Sequence, residues 1–535
     1  MKVRQVLKQS DIKKLLNEKP QYRDCLFAGG YLLTNDTAID GNQYPFYGEW
    51  NTCSICDYTL YVHRNETFYS FNCSNRVFLL VGHAYNPIRM KWDEHELLKD
   101  CSEHFGTDAF FDTINEWTGV FVLFVLDSAG GRVEALTDAT SMKMCHYLQN
   151  GEKLYFSSHV QMLADLLNLP MTYYAARIRK TRMYNTGLRW LPGKMTTYEN
   201  AFRLGANLIA SFENGKVTVS RFYPRKPHEE VATQEEFDTQ VESIYRLIRG
   251  NLELCKKKWG NPAISLTGGM DSGCTFACTK GITDSFHIFS FDCKEQERLD
   301  AEAAEKICER VGVHHFLYTV PRNNSDIKDY DILCKLIDHN TAYVMNLAEN
   351  EVRKIIVLHN MHAFNVELKS DIAEIGRAFY ERKYGFPMPE ALNARQMAIM
   401  QTRFFFMPHL LKETEIEYRQ YMKETGMEKP IFNFEHSDLF YWEYRIALGA
   451  SGCTLSMGMA HPLTFPYNNR VLLEKMLSFP HSMRAKDYPQ QAIMESKMPE
   501  MIGRDVKVED QYFGKWRILL EKTFFFYKTL FYRDR

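Results

Sequence analysis

Between about residue 26 and residue 225 apolar and polar positions alternate over short runs separated by turn formers, the pattern of β-strands. FAGGYLLT around 26–34, YTLYVHRNETFYSF (58–71) and RVFLLVGHAY (76–85) are rich in aromatic and β-branched residues. WDEHELLKDCSEHF (92–105) changes to a helical period, with Leu97 and Leu98 on one face. GVFVLFVLD (119–127) is apolar throughout its core, which predicts a strand buried on both faces. RVEALTDAT and KLYFSSH continue the rhythm, so the first half is expected to form two packed sheets with helices outside them.

FYPRKPHEEVATQEE, with two prolines and a charge cluster, marks a boundary near 222–235. A helix follows from Thr233, amphipathic through Phe237, Val241, Tyr245 and Leu247, and Thr233 with Glu236 fits a capping box. The domains expected are 1–225 and 232–535. At roughly 150 residues per domain, a length of 535 suggests two to four domains.

The net charge of −2 supplies no basic field, so nucleic-acid binding is not expected. Apolar runs such as Val120–Leu126 fall far short of the ~20 residues of a membrane span, and no secretion signal stands at the N-terminus, so a cytoplasmic protein is expected. Thirteen scattered cysteines read as reduced thiols, and the Cys53–Cys56 pair lacks the second pair that a zinc site needs.

The chemistry is concentrated at NPAISLTGGMDSG (261–273). Ala263–Leu266 predicts a short strand, Thr267-Gly268-Gly269-Met270-Asp271-Ser272-Gly273 a turn, and CTFACTKG a helix. Glycines let a backbone approach phosphate, and the free N–H groups and dipole of a helix N-terminus favour its charge. The turn is not a Walker A loop, and on its residues alone it reads either as a nucleotide cradle or as an ordinary glycine turn with an Asp-Ser cap.

Leu266–Ser272 resembles the [ST]-G-G-x-D-S signature of PP-loop ATP pyrophosphatases, with Thr267 in the serine position. HIFSFDC (287–293) and the positions Asp300, Ala304, Ile307, Val311-Gly312 and His315 are similar to the asparagine synthetase-like branch. ELKSDIAEIGRAFY (367–380) falls where that branch has its second glycine-rich loop. The resemblance implies that Asp271 and Asp371 bind Mg²⁺, with Glu374 as a lesser candidate. Leu266, Thr267, Gly268, Gly269, Asp271 and Ser272 are then the ATP-binding residues. In 466–501, Lys486 followed by Met498-Pro499 matches the branch's C-terminal lysine segment, which implies a catalytic role for Lys486, with Arg484 as the nearest rival.

The N-terminal half is similar to the branch's Ntn glutaminase domain through Gly119–Asp127, Asp138–Tyr147, Leu154–Ser158 and Leu191-Pro-Gly193. Its chemistry is missing. Met1 is followed by Lys2, and Cys25-Leu-Phe-Ala-Gly would need a 24-residue segment removed to expose the thiol beside an α-amine. The glutamine-binding motif is only partly matched by Val81-Gly82-His83-Ala84-Tyr85-Asn86. Leu368 stands where β-lactam synthetases have a tyrosine and asparagine synthetases a glutamate.

The fold class expected is therefore α/β: an Ntn-like two-sheet sandwich, then a PP-loop parallel-sheet domain with a helical C-terminal extension. The function implied is an ATP-dependent amide-forming ligase. It would adenylate a small-molecule or peptide carboxylate with Mg·ATP and pass the acyl group to an amine or ammonia. Glutamine-hydrolysing asparagine synthetase activity proper and a non-catalytic scaffold are the alternatives. RFFFMPHLL (403–411) and NFEHSDLFYWEYR (433–445) read as core and interface, or as an aromatic acceptor pocket with polar groups such as Glu443 and Arg445. The tail EKTFFFYKTLFYRDR is expected to be an aromatic helix.

Overall fold

The apolar run at 119–127 becomes the centre of the first domain. In the computed structural model, which describes residues 6–127, 131–181, 190–342, 347–402, 407–503, 516, 519, 520, 522 and 523, it forms the strand Thr118–Asp127. Most of the C-terminal aromatic tail and positions 403–406 of the RFFFMPHLL segment lie outside the described residues.

Among the described residues the strands of this domain are β1 (Tyr31–Thr34), β2 (Asn51–Ile55), β3 (Tyr58–Val62), β4 (Phe68–Cys73), β5 (Arg76–Tyr85), β6 (Thr118–Asp127) and β7 (Arg132–Thr137). They continue with β8 (His146–Asn150), β9 (Lys153–Ser157), β10 (Ala201–Arg203), β11 (Leu208–Glu213) and β12 (Lys216–Arg221). Two six-stranded antiparallel sheets result, ordered β10-β8-β9-β1-β3-β2 and β12-β11-β7-β6-β5-β4. Alternation decides the faces. Val122, Phe124 and Leu126 pack between the sheets with Tyr31, Leu33 and Phe156, while Phe121, Leu123 and Val125 join the core beneath the helices. Both faces of β6 are covered, which is why its sequence shows no polar alternation.

β5 and β6 pair over ten residues, from Arg76↔Asp127 to Tyr85↔Thr118. Gly82 (φ +110°, paired with Phe121) and Gly119 (φ +154°, paired with Ala84) stand two rungs apart in this ladder, where a Cβ on either would strike a backbone carbonyl of the opposing strand. Only glycine fits both.

The predicted capping box forms. Thr233 accepts from the Glu236 N–H, the Glu236 carboxylate accepts from the Thr233 N–H at 2.8 Å, and the helix Gln234–Lys258 follows. A five-stranded sheet then has the order β15-β14-β13-β16-β17, built from β13 (Pro262–Ser265), β14 (His287–Asp292), β15 (Phe316–Thr319), β16 (Val366–Leu368) and β17 (Leu463–Thr464). Every neighbour is parallel. From β13 the chain winds one way to β14 and β15, then returns to β16 on the other side. The reversal opens a crevice at the carboxyl ends of β13 and β16, where ligands enter such sheets. The fold class expected from the sequence is thus the one observed.

The helical extension includes Ala394–Thr402, Pro408–Thr425, His436–Phe440, a π-helical stretch Tyr441–Ile446, and Ala447–Met457. Buried polar contacts fasten the domains. Asn468 Nδ2 donates to Gly119 O at 2.5 Å and to Asp138 Oδ1 at 2.8 Å, and Trp442 Nε1 donates to Ala139 O at 2.8 Å. No helix among the described residues is long and apolar enough to cross a membrane.

Candidate active site

The glycine turn leaves β13 at the crevice. Leu266 N–H still donates to Phe289 O in β14 at 2.9 Å, and the helix Met270–Ala277 begins four residues later. Hydroxyls brace the turn from within. Thr267 Oγ1 lies 2.8 Å from Ser272 Oγ and accepts from Gly269 N–H at 3.1 Å, and Ser272 Oγ accepts from Thr267 N–H at 3.2 Å. Thr267 therefore supplies the hydroxyl that a serine would.

A cavity of about 750 Å³ opens over the turn. Of the predicted nucleotide residues, Leu266, Thr267, Gly269, Asp271 and Ser272 line it, while Gly268 does not. Asp371 lines it too, at the start of the short helix Asp371–Arg377 that follows β16, and so do Glu374 and Arg377 from the same helix. Ser370 Oγ, 2.7 Å from Thr275 Oγ1, holds that helix against the one that starts at Met270. Lys486 is exposed and does not line the cavity. Arg484 is buried and bonded to Phe479 O and Asp438, a structural role.

Arg377 ties these parts together and was not singled out by the sequence reading. Its Nη1 donates to Asp271 Oδ2 at 2.7 Å, and its Nε and Nη2 grip Asp487 at 2.7 and 2.9 Å. Asp271 Oδ1 is buried with no hydrogen-bond partner. Burial, with Glu374 and Asp487 adding to it and Arg377 opposing, pushes the Asp271 carboxyl up to about 7. Asp371 is also raised, first by burial, with Lys369 opposing and Glu374 adding. Lys369 and Lys354 line the cavity as well, paired to Glu367 at 3.0 Å and to Glu297 at 2.8 Å.

An orphaned, buried carboxylate oxygen beside further acids suits a hard divalent cation that takes its remaining ligands from phosphate and water. Asp271 and Asp371 would hold it. Among the described residues the set of three metal-type ligands close enough to share an ion is instead Glu435, Asp438 and His481. That set is already an ionic lock. His481 Nε2 lies 2.6 Å from Glu435 and its Nδ1 3.0 Å from Glu381, while Arg484 binds Asp438 at 2.8 Å. Burial works against the charge on His481, but Asp438 and Glu435 outweigh it and raise the imidazole to about 10.

In the first domain Cys25 is 4% exposed, and burial pushes its thiol up to about 12. Asn340 clamps the backbone on either side, donating to Cys25 O at 2.7 Å and accepting from Phe27 N–H at 2.8 Å. The preceding helix Gln9–Glu18 buries Ile12 and Leu16. A cavity of about 740 Å³ between the domains reaches this thiol, and its Lys143–Glu66 and Lys258–Glu94 charges are already paired with one another. No disulfide joins any of the thirteen cysteines.

No family model and no curated protein matches this chain. Solved structures align weakly. An allosteric regulatory enzyme of purine biosynthesis is 9% identical over 51% of this chain and 62% of its own, with a TM-score of 0.24. Glutamine phosphoribosylpyrophosphate amidotransferase from B. subtilis is 6% identical over 74% and 75%, with a TM-score of 0.21. Glutamine-dependent NAD⁺ synthetase from Acinetobacter baumannii is 14% identical over 45% and 42%, with a TM-score of 0.18. The chain thus spans less than two thirds of the first and third. At TM-scores of this size none of these alignments decides the function, and the site itself must.

Proposed function

We propose that the chain is an ATP-dependent ligase that joins a carboxylate to an amine, releasing AMP and pyrophosphate. The single observation carrying this reading is the orphaned Asp271 carboxylate in a hydroxyl-braced glycine turn, at the crevice where Asp371 also arrives. Thr267, Gly269 and Ser272 hold the β- and γ-phosphates through hydroxyls and backbone N–H groups at the helix start, while Gly268, which does not line the cavity, shapes the turn. Asp271 and Asp371 would hold Mg²⁺, which would supply neutralisation of charge on the departing pyrophosphate.

The acid's carboxylate attacks the α-phosphorus, giving an acyl-adenylate and pyrophosphate; the amine then attacks the acyl carbon and AMP leaves. Arg377 keeps Asp271 in place and couples it to Asp487. Lys486, next in sequence to that clamp, is exposed and outside the cavity, so its assignment to charge stabilisation at the phosphates rests on the sequence resemblance alone. The buried Cys25 thiol, without a free α-amine, leaves ammonia supply by the first domain unsupported.

The test is a thermal shift with and without Mg·ATP, comparing wild type with Asp271→Asn. Ligand at about 100 times its Kd stabilises by about 2.7 kcal/mol. A Mg²⁺-dependent shift present in wild type and absent in the variant is expected, followed by acid-dependent pyrophosphate release. No shift in either protein overturns the reading.

A further inference from the structure

Past the carboxyl ends of β14 and β15 lies a second cavity, of about 430 Å³, on the same edge of the sheet as the nucleotide cavity. Three stretches of chain bring cations to it. Lys294 and Arg298 come from the start of the helix Glu295–Val311, Arg322 from the loop after β15, and Arg353 from the helix Glu349–Met361. Backbone bonds hold these stretches side by side: Val320 N–H donates to Asp292 O at 2.9 Å, and Arg353 Nη1 donates to Arg322 O at 2.6 Å. Asp292 and Glu295 are the carboxylates of the lining.

The charge here is not balanced from within. No carboxylate among the described residues forms an ion pair with Arg322 or Arg353, and Arg353 Nε is buried without a hydrogen-bond partner. Arg298 reaches the exposed Glu302 only at 3.7 Å. Lys294 stands 3.8 and 3.9 Å from Glu297 and Glu351, which Lys354 holds more closely, at 2.8 and 3.0 Å. Four cations thus face two carboxylates, a surplus of two positive charges that a phosphate dianion matches. Guanidinium forks suit phosphate oxygens in bidentate fashion, and the 17-residue helix opens on this cavity with no side-chain cap on its first N–H groups.

We propose that this cavity is a phosphate-binding site separate from the nucleotide cavity, in which Arg322 and Arg353 take a phosphate group, either free or carried on a small molecule. The two cavities share a wall. Phe291, Glu297 and Lys354 line the nucleotide cavity, while their sequence neighbours Asp292, Arg298 and Arg353 line this one. A phosphate held here therefore lies one residue behind the nucleotide's own wall. The site stands whether or not the ligase reading does.

The experiment is calorimetric titration of the full chain with inorganic phosphate and, separately, with glycerol 2-phosphate, at constant ionic strength. Wild type is expected to bind at least one of them saturably. Tighter binding of inorganic phosphate identifies a free anion as the ligand, and tighter binding of the ester a phosphorylated small molecule; either supports the site. Arg322→Gln and Arg353→Gln should each weaken that binding about tenfold, and Arg322→Lys, which keeps the charge but loses the fork, should fall between. Arg246→Gln, at an exposed arginine paired with Glu242, should leave it unchanged. Arg322 is exposed, so its variants decide the matter even where Arg353→Gln, which loses the bond to Arg322 O, fails to fold. Binding of neither ligand by wild type overturns the proposal. So does an affinity that survives both glutamine variants, which would place the phosphate in the glycine turn, or one that falls equally in Arg246→Gln, which would make it a general charge effect. Any Mg·ATP thermal shift of wild type should persist in Arg322→Gln; its loss there would assign Arg322 to the nucleotide and overturn a separate site.

Discussion

Replacing Glu443 with Gln removes one charge from a deeply buried ion pair that links the two halves of the chain. Glu443 is 1% exposed, and Arg221 Nη1 and Nη2 reach its two oxygens at 2.5 and 2.8 Å. Asn207 adds a bond at 2.9 Å. Breaking a buried pair by neutralising one member typically costs about 3–5 kcal/mol, because the other charge stays buried without a counterion. Two features hold the figure near the lower end. Arg221 keeps its bonds to Thr425 O and Tyr223 O, and 12% of its side chain still meets solvent. The expected loss is therefore about 3 kcal/mol, a large part of the 5–15 kcal/mol typical of a folded domain.

An exposed pair sets the contrast. Arg298–Glu302, with both side chains more than half exposed, predicts under about 0.5 kcal/mol for Glu302→Gln. Urea unfolding followed by both tryptophan fluorescence and far-UV circular dichroism is the assay, since two probes reveal whether the domains part separately. Arg221→Met combined with Glu443→Leu should recover most of the loss, as neither charge is then stranded. A Glu443→Gln protein within about 0.5 kcal/mol of wild type, or a double variant as unstable as the two single changes summed, would refute the reasoning.

On the proposed reading Mg²⁺ displaces a proton from Asp271, whose folded value of about 7 lies above the ordinary carboxylate range. The native state therefore holds a proton that the unfolded chain has lost between roughly pH 4 and 7, so this group's contribution to stability falls as pH rises through that window. Apparent Mg²⁺ affinity should instead rise roughly tenfold from about pH 6 to about pH 8, measured by calorimetry with the nucleotide's own Mg²⁺ binding recorded alongside; a flat profile contradicts it. Gly376→Ala would set a methyl 2.7 Å from Met476 Cε and 2.8 Å from its Cβ, and the second atom cannot swing away. A destabilisation of about 1–3 kcal/mol is expected, with weaker Mg·ATP binding because the same short helix carries Asp371, Glu374 and Arg377; an unchanged melting temperature would show that the contact relaxes freely.

The polar groups at 441–446 show how far local pattern reaches. Glu443 and Arg445 read alike in the sequence, as charges within an aromatic run. In the fold Glu443 is buried against Arg221, 222 residues away, and Arg445 faces the cavity among rings. Lys486 is the same lesson in reverse. Its place in the chain marked it for the phosphates, yet it is exposed while its neighbour Asp487 takes the clamp.

The sequence by itself determined what depends on residues a few positions apart. The Thr233–Glu236 capping box and the unbroken apolar strand at 119–127 form as read, and the strand–glycine turn–helix order holds, although the helix begins at Met270, four residues before the predicted Cys274. Backbone freedom, side-chain hydroxyls and periodicity act over short range, so they are written locally. Tertiary structure decided which of those elements converge. The reversal of strand order between β13 and β16 brings Asp371 to the glycine turn, and Arg377 then joins Asp271 across 106 residues and Asp487 across 110. Whether a buried charge meets a carboxylate, a ring or an empty cavity is a property of that convergence, and sequence separation carries no trace of it.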